Sequence, residues 1–239
     1  MKTKIIPAIN AQIFEEVEKK INLLKSSINH FHLDIASLEF TGYQTYPRIY
    51  ADLERININL GLLNINQNNN PRKSDLSVVF DLHLMLSLKP QEILKWAKEN
   101  IETLILHLEA SQNPDGLLKM AKKTKKKIFI AWPPDIKFDF IKKYLSYVDG
   151  ILILGVRPGK AGQKFLEETY LRIEQILAAK ADKNYSHKSP KLMIDGGIDE
   201  ENFKKILSYK PDFIIMASAI YDSENPKEKY LWFLNQIKI

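Results

Sequence analysis

Eight short apolar segments recur along the chain, and most of them are followed by a stretch with helical spacing. Their length and nearly continuous apolar character are typical of parallel strands buried on both faces. The segments are KIIPAI (4–9), HFHLDI (30–35), LSVVFDLHLML (76–86), TLILHLEA (103–110), KIFIAW (127–132), GILILGV (150–156), KLMIDGG (191–197) and DFIIMAS (212–218). Strands alternating with helices predict a parallel sheet, and eight of them predict a closed (β/α)8 TIM barrel in one domain, residues 1–239.

The length and composition of the chain fit this fold. Its 239 residues are close to the roughly 250 of a typical α/β barrel. The chain contains no cysteine, which excludes thiol nucleophiles, thiolate ligands and disulfides. The N-terminal apolar stretch is too short for a secretion signal, and no window approaches the roughly 18 apolar residues of a membrane span. We therefore expect a cytoplasmic protein with no membrane partner.

The chain is basic, with a net charge of +6, and its densest basic run is KMAKKTKKK at 119–127. Such a charge suits nucleic acid, an acidic membrane surface or small anionic substrates. No aromatic residue is interleaved with the lysines, and an apolar strand follows at once, so we interpret the run as the solvated end of a helix. We expect a small anionic substrate and no nucleic-acid partner.

Residues 49–75 interrupt the alternation at the place of the second helix. Seven of the residues from 57 to 70 are asparagine, and Ile56, Ile58 and Leu60 alternate with polar residues as in a strand. We predict an Asn-rich insertion around residues 56–72. It would consist of a short extra strand or irregular segment and then a mobile loop ending at Pro71.

Polar side chains fall at the C-terminal ends of three predicted strands, where the active sites of such barrels lie. The second strand ends in HLD (32–34), the third carries DLH (81–83), and the seventh ends at Asp195. Residues two apart on a strand share a face, so each tripeptide projects its two polar residues together. A lone buried histidine is more often a core residue, but clustered buried carboxylates need partners. The sequence therefore predicts one divalent metal site (zinc, iron, manganese or cobalt) with the ligands His32, Asp34, His83 and Asp195.

The remaining histidines and acidic groups are interpreted one by one. His107, on the fourth strand, is either a residue that contacts substrate or a hydrogen-bonded core histidine, and the sequence does not decide between the two. Glu109 is expected at the rim or beside the metal ligands, and Asp81 beside the ligands or paired with a neighbouring strand. His30 and His187 do not share the pattern and are interpreted as structural or exposed.

Glycine and small residues follow the sixth, seventh and eighth strands. Loops after strands 7 and 8 commonly form the phosphate site of such barrels, because glycine lets the backbone approach the anion. Each glycine alone is weak evidence, since turns also need glycine. Together they predict a phosphate-binding surface formed by Gly159, Gly162, Gly196, Gly197, Ala217 and Ser218.

Taken together, these motifs resemble the ribulose-phosphate 3-epimerase family over most of the chain. The matching segments are HLD (32–34), DLHLM (81–85), LHLEA (106–110), VRPGKAGQKF (156–165), IDGGI (194–198) and ASAIY (217–221). The resemblance implies a carbohydrate isomerase of the pentose phosphate pathway that interconverts D-ribulose 5-phosphate and D-xylulose 5-phosphate. It also implies that His32, Asp34, His83 and Asp195 bind the metal.

The resemblance further implies that Asp34 and Asp195 form the acid/base pair. Removal of the C3 proton, next to the C2 ketone, gives an enediolate that a metal can stabilise. Inversion at C3 needs one group that removes a proton from one face and another that returns a proton to the opposite face.

Several positions depart from the family pattern. Ala8 stands where the family has serine, and of the methionines expected beneath the metal only Met85 remains. Lys160 and Ala161 replace an aromatic residue and a glycine of the PGFGGQ loop. Met85, His107 and Lys160 are accordingly candidates for contact with the substrate. Lys160 and Arg157 either recover phosphate affinity or are exposed loop residues, and these interpretations weigh equally.

Other interpretations of the sequence stay open. One is epimerisation of a different ketose phosphate, such as a hexulose phosphate, and another is a non-catalytic barrel homologue. A decarboxylase or aldolase relative is a further alternative, but the decarboxylase relatives usually carry Asp-x-Lys on the third strand, where this chain has His83. The native metal and the formation of a homo-oligomer are not fixed by the sequence.

Overall fold

A closed barrel of parallel strands forms the centre of the molecule. The computed structural model describes residues 2–53, 64–65, 71–72, 78–159, 162–181 and 189–237. The barrel strands are β1 (Lys4–Ile9), β2 (His30–Ala36), β3 (Val79–Met85), β4 (Ile101–Leu106), β5 (Lys127–Trp132), β6 (Gly150–Leu154), β7 (Lys191–Asp195) and β8 (Phe213–Met216). They pair in sequence order, and β8 pairs with β1. The predicted single-domain (β/α)8 fold is therefore confirmed.

Helices follow the strands on the outside of the barrel. They are α1 (Phe14–Leu24), α2 (Leu38–Thr41), α3 (Ile93–Trp96), α4 (Pro114–Lys122), α5 (Phe138–Lys142), α6 (Thr169–Ala181), α7 (Glu200–Ser208), α8 (Ser218–Tyr221) and α9 (Pro226–Gln236). Two of these helices are short, with four residues in α3 and five in α5. Each is one short helix with a 3₁₀ turn, Pro90–Glu92 before α3 and Leu145–Tyr147 after α5. Such short helices depend on packing against the barrel rather than on their own propensity.

Side chains alternate between the barrel interior and the layer under the helices. Outward residues such as Leu33 and Leu82 pack against the helices in the larger apolar core. Inward residues fill the barrel itself, and the apolar ones are Ile6, Ala8, Ile105, Phe129, Ala131, Leu152, Leu154, Met193 and Ile215. The period of two in each strand thus determines which polar side chains face the interior.

The strand register brings inward polar residues next to one another. Asp34 on β2 lies beside His83 on β3, and Asp195 on β7 lies between Leu154 and Ile215. Towards the N-terminal end of the barrel, Asp81 instead meets His30, with Oδ2 and Nε2 3.0 Å apart. The expectation that Asp81 pairs with a neighbouring strand is thus met.

The Asn-rich insertion is described only in part. Two-residue strands at Asn64–Ile65 and Pro71–Arg72 pair antiparallel. Ile56, Ile58 and Leu60, for which a strand was predicted, lie outside the described residues, as does His187. The basic run at 119–127 joins the end of α4 to the start of β5, as expected. No helix in the described ranges is long and apolar enough to cross a membrane.

Candidate metal and substrate site

Four side chains from three strands converge at the C-terminal end of the barrel. Oδ1 of Asp34 lies 3.2 Å from Nε2 of His32 and 3.0 Å from Nδ1 of His83. Oδ2 of Asp195 lies 4.0 Å and 3.8 Å from the same two nitrogens. One potential ligand atom from each residue lies within 4.8 Å of all the others. The structure therefore brings together the four residues that the sequence singles out as metal ligands.

The burial of this cluster shifts its protonation equilibria in opposite directions. Burial raises the pKa of Asp195 to about 7, and the neighbouring charge of Asp34 adds to the increase. Burial also acts to raise the pKa of Asp34, but the imidazoles of His32 and His83 outweigh it and hold that pKa below its usual range. Burial lowers the pKa of His83 to about 4, so its ring is neutral near pH 7. Two carboxylates in the same environment thus differ in proton affinity.

The donor set fits a divalent metal ion. Two imidazole nitrogens and two carboxylate oxygens are ligands that zinc, iron(II), manganese and cobalt accept. Ligand atoms that share one cation at about 2.1 Å lie roughly 3 to 4 Å apart, and the four nitrogen–oxygen distances of this cluster are 3.0 to 4.0 Å. His32 is fully buried, and neither of its ring nitrogens makes an aligned hydrogen bond within the described residues. A cation would supply the partner that this ring lacks.

A cleft opens beside these carboxylates. Its wall includes all the residues predicted to bind phosphate, namely Gly159, Gly162, Gly196, Gly197, Ala217 and Ser218. Gly196 and Gly197 have φ values of 98° and 67°. A Cβ on Gly197 would also lie 2.5 Å from the backbone nitrogen of Phe165. Both positions therefore require glycine, which keeps the backbone open to a ligand.

The other residues expected near the substrate fall in different places. Met85 lines the cleft, and Arg157 lines it with a largely exposed side chain that contacts Asp135. His107 lies behind His83, 1% exposed, and does not belong to the residues lining the cleft. The strand β4 ends one residue before His107, at Leu106, and a 3₁₀ turn begins at Leu108. Lys160 lies outside the described residues.

Asn10, at the end of β1, is a cleft residue that the sequence analysis missed. Its Nδ2 donates to Oδ2 of Asp34 at 3.3 Å and to the backbone oxygen of Gly159 at 3.1 Å. Nζ of Lys20 donates to the backbone oxygen of Asn10 at 2.7 Å. Asn10 thus connects a predicted catalytic carboxylate to a predicted phosphate loop. The available signal was its position, a polar residue directly after a barrel strand.

Comparison with known families agrees with this geometry. The model of the ribulose-phosphate 3 epimerase family matches residues 4–221, which is most of the chain. The chain belongs to this family. It is accordingly an isomerase of the class that epimerises carbohydrates, and its family supports a sugar phosphate as substrate.

Relatives in the family are moderately similar. The ribulose-phosphate 3-epimerase of Buchnera aphidicola subsp. Baizongia pistaciae is 34% identical over 151 residues, covering 62% of this chain. That alignment spans 64% of the relative, just under two thirds of its length. The ribulose-phosphate 3-epimerase of Chlamydia muridarum is 28% identical over 213 residues, covering 88% of this chain and 85% of the relative.

Solved structures support the fold. KGPDC from Streptococcus mutans superposes with a TM-score of 0.68 at 9% identity, covering 100% of this chain and 98% of that one. The 3-hexulose-6-phosphate synthase of Salmonella typhimurium gives a TM-score of 0.63 at 10% identity, covering 99% and 98%. At these identities the similarity concerns the barrel alone.

Proposed function

We propose that this protein epimerises a ketose phosphate at C3, interconverting D-ribulose 5-phosphate and D-xylulose 5-phosphate, with one bound divalent metal ion. The observation that carries the proposal is the convergence of His32, Asp34, His83 and Asp195 beside a glycine-lined cleft. Membership of the ribulose-phosphate 3 epimerase family supports the same substrate.

The metal would be held by the four clustered side chains, those of His32, Asp34, His83 and Asp195. When bound, the cation supplies Lewis-acid stabilisation of the negative charge that develops on substrate oxygens. The imidazoles of His32 and His83 would bind the cation as neutral donors, and both side chains are buried. The protein thus contributes a buried, preformed donor set at one end of the barrel.

Asp34 and Asp195 would transfer the protons. They project from β2 and β7, which are separated in the barrel by β1 and β8, so they approach a ligand in the cleft from different sides. The pKa of Asp34 is lowered and that of Asp195 is raised, which supports one base and one acid at a given moment. In the reverse reaction their roles exchange.

The phosphate group would lie against the backbone of the loops after β6, β7 and β8. Gly196 and Gly197 present their backbone without side chains, and Ser218 begins α8. Backbone N–H groups near a helix start favour an anion. The sugar would then lie between the phosphate loops and the two carboxylates.

The direct test is an assay of the purified protein with a panel of ketose phosphates and a panel of divalent metals. We expect ribulose 5-phosphate to give the highest kcat/KM, and prior removal of metal with a chelator to abolish turnover until metal is restored. Preference for a hexulose phosphate would replace the proposed substrate. Full activity in thoroughly metal-free protein would overturn the metal requirement.

The other expectations drawn from the sequence remain predictions. Cytoplasmic location is one of them, and the formation of a homo-oligomer is left open by the sequence. Sedimentation at several protein concentrations would measure the assembly state.

A further inference from the structure

A row of polar side chains extends from the predicted ligand His83 away from the cleft. Nε2 of His83 lies 2.9 Å from Nε2 of His107, which directly follows β4. The other ring nitrogen of His107, Nδ1, lies 2.5 Å from Oε1 of Glu109. Both imidazoles are about 1% exposed, and the Glu109 side chain is 13% exposed. The three side chains therefore form one buried hydrogen-bonded row.

The hydrogen bonds of this row all run in one direction from donor to acceptor, because a neutral imidazole carries only one ring proton. The Glu109 carboxylate can only accept, so Nδ1 of His107 donates to it. Nε2 of His107 is then an acceptor, and His83 must donate to it from its own Nε2. Nδ1 of His83 keeps its lone pair, and this is the atom that faces Asp34 and Asp195.

We propose that Glu109 and His107 are positioning residues that fix the tautomer and ring orientation of His83 for metal binding through Nδ1. The proposal rests on the metal site of the proposed function and assigns a role to two residues outside the four ligands. Partners behind a metal-binding histidine commonly act in this way. Neither residue would touch the substrate.

Without this row, His83 has a competing arrangement. Its Nδ1 lies 3.0 Å from Oδ1 of Asp34, so a proton on Nδ1 would make a good hydrogen bond to that carboxylate. A ring in that tautomer cannot bind a cation through Nδ1. Glu109 acts through His107 against that tautomer. Because Glu109 leaves Nε2 of His107 as an acceptor, Nε2 of His83 must carry the proton and donate it.

Packing holds the two rings in this relation. The imidazoles of His83 and His107 lie nearly parallel, with 17° between their planes and 5.1 Å between their centroids. The ring of Phe40 meets His107 edge-on from α2, with centroids 5.1 Å apart. His107 is therefore held from two sides, and Glu109 determines which of its nitrogens carries the proton.

The first test reads the tautomers directly. Protein with ¹⁵N-labelled histidine is loaded with Zn²⁺, and long-range ¹H–¹⁵N spectra identify the protonated nitrogen of each ring. We expect protonated Nε2 on His83 and protonated Nδ1 on His107. A proton on Nε2 of His107 in the zinc-loaded protein would overturn the proposal.

The second test compares Glu109→Gln with Glu102→Gln. Glutamine keeps the shape of the side chain, but its amide can donate as well as accept, so the row loses its direction. Glu102 is a matched control, because it lies at the start of β4, the strand that leads to His107, and pairs at the surface with Lys127. Zn²⁺ affinity is measured by competition with a chromophoric chelator, and urea unfolding of the metal-free proteins shows whether both variants fold.

We expect Glu109→Gln to weaken Zn²⁺ binding about 10- to 100-fold, the range typical of such partners, and Glu102→Gln to leave it unchanged. Wild-type affinity in folded Glu109→Gln would overturn this proposal and leave the proposed function standing. If the wild-type protein itself binds no metal, the metal site of the proposed function fails, and the positioning role fails with it.

Discussion

Histidine and aspartate meet at both ends of the barrel, with different consequences. Towards the N-terminal end, the imidazole of His30 is matched with one carboxylate, that of Asp81. At the C-terminal end, two imidazoles meet two carboxylates beside an open cleft, in the group His32, Asp34, His83 and Asp195. The residue types are the same, but their number and surroundings differ.

The difference shows how position in the barrel assigns a role. At the N-terminal end a single histidine faces a single aspartate, with 3.0 Å between Nε2 and Oδ2, and polar residues at this end of such barrels serve stability. Burial raises the pKa of Asp195, and the charge of Asp34 raises it further, because two carboxylates that share one site cannot both be charged without cost. The C-terminal cluster is thus suited to a cation and to proton transfer, and the N-terminal pair is suited to neither.

The largest expected effect is on kcat, which should respond to substitutions at the C-terminal end of the barrel and not at the N-terminal end. Asp34→Asn or Asp195→Asn should lower kcat about 100- to 10,000-fold, because an amide cannot exchange the substrate proton. Asp81→Asn should keep kcat near the wild-type value and lower the free energy of unfolding by about 1–3 kcal/mol, because it weakens the pair with His30. Steady-state kinetics and urea unfolding of all three variants provide the measurement.

The urea unfolding curves also serve as the control for folding of the three variants. The Asn variants at the C-terminal end must unfold cooperatively for their loss of activity to count. Normal turnover in both Asp34→Asn and Asp195→Asn would exclude the two-carboxylate mechanism, and a large loss of kcat in folded Asp81→Asn would remove the distinction between the two ends.

A smaller effect concerns the pH dependence of stability in the metal-free protein. The pKa of Asp195 is raised to about 7 in the folded state, so its contribution to stability is present below its unfolded pKa and is lost as pH rises through 7. Relative to the wild type, Asp195→Asn should therefore gain roughly 2–4 kcal/mol between pH 4 and pH 8. Urea unfolding in chelator across this range measures the difference. If the difference in free energy of unfolding between the two proteins stays constant with pH, the charged form of Asp195 is not destabilised by its burial.

The smallest expected effect tests Asn10. Replacement by alanine removes the donors to Asp34 and to the loop at Gly159, which should lower kcat/KM about three- to tenfold. Loss of the contact to Gly159 should raise KM, and loss of the contact to Asp34 should lower kcat. Asn113→Ala is the control, since Asn113 caps α4 outside the cleft and should affect stability only. Unchanged kinetics in Asn10→Ala would remove Asn10 from the site.

Much of the site could be predicted because it follows from strand geometry. HLD (32–34) and DLH (81–83) each place two polar residues on one strand face, and parallel strands end on the same side of a barrel. These rules need no knowledge of side-chain packing. They sufficed to bring the four metal-cluster residues and the glycine loops to one end of the molecule.

The role of His107 could not be decided in the same way. Its place in the sequence, directly after a strand, is compatible with a position on the cleft wall. In the structure His107 lies behind His83 instead, with 2.9 Å between their Nε2 atoms. Asn10 was missed for a related reason, because its contacts join β1 to residues 24 and 149 positions away.

The sequence by itself determined the eight-stranded barrel, the end of it at which the chemistry lies, and the residue types gathered there. These depend on the period of two along each strand and on the parallel connection of successive strands. Only the tertiary structure decided which histidine nitrogens face the carboxylates, which imidazole lies behind another, and which of the two aspartates holds its proton more tightly. Those properties depend on distances of about 3 Å between distant segments and on the exclusion of water, which local patterns do not encode.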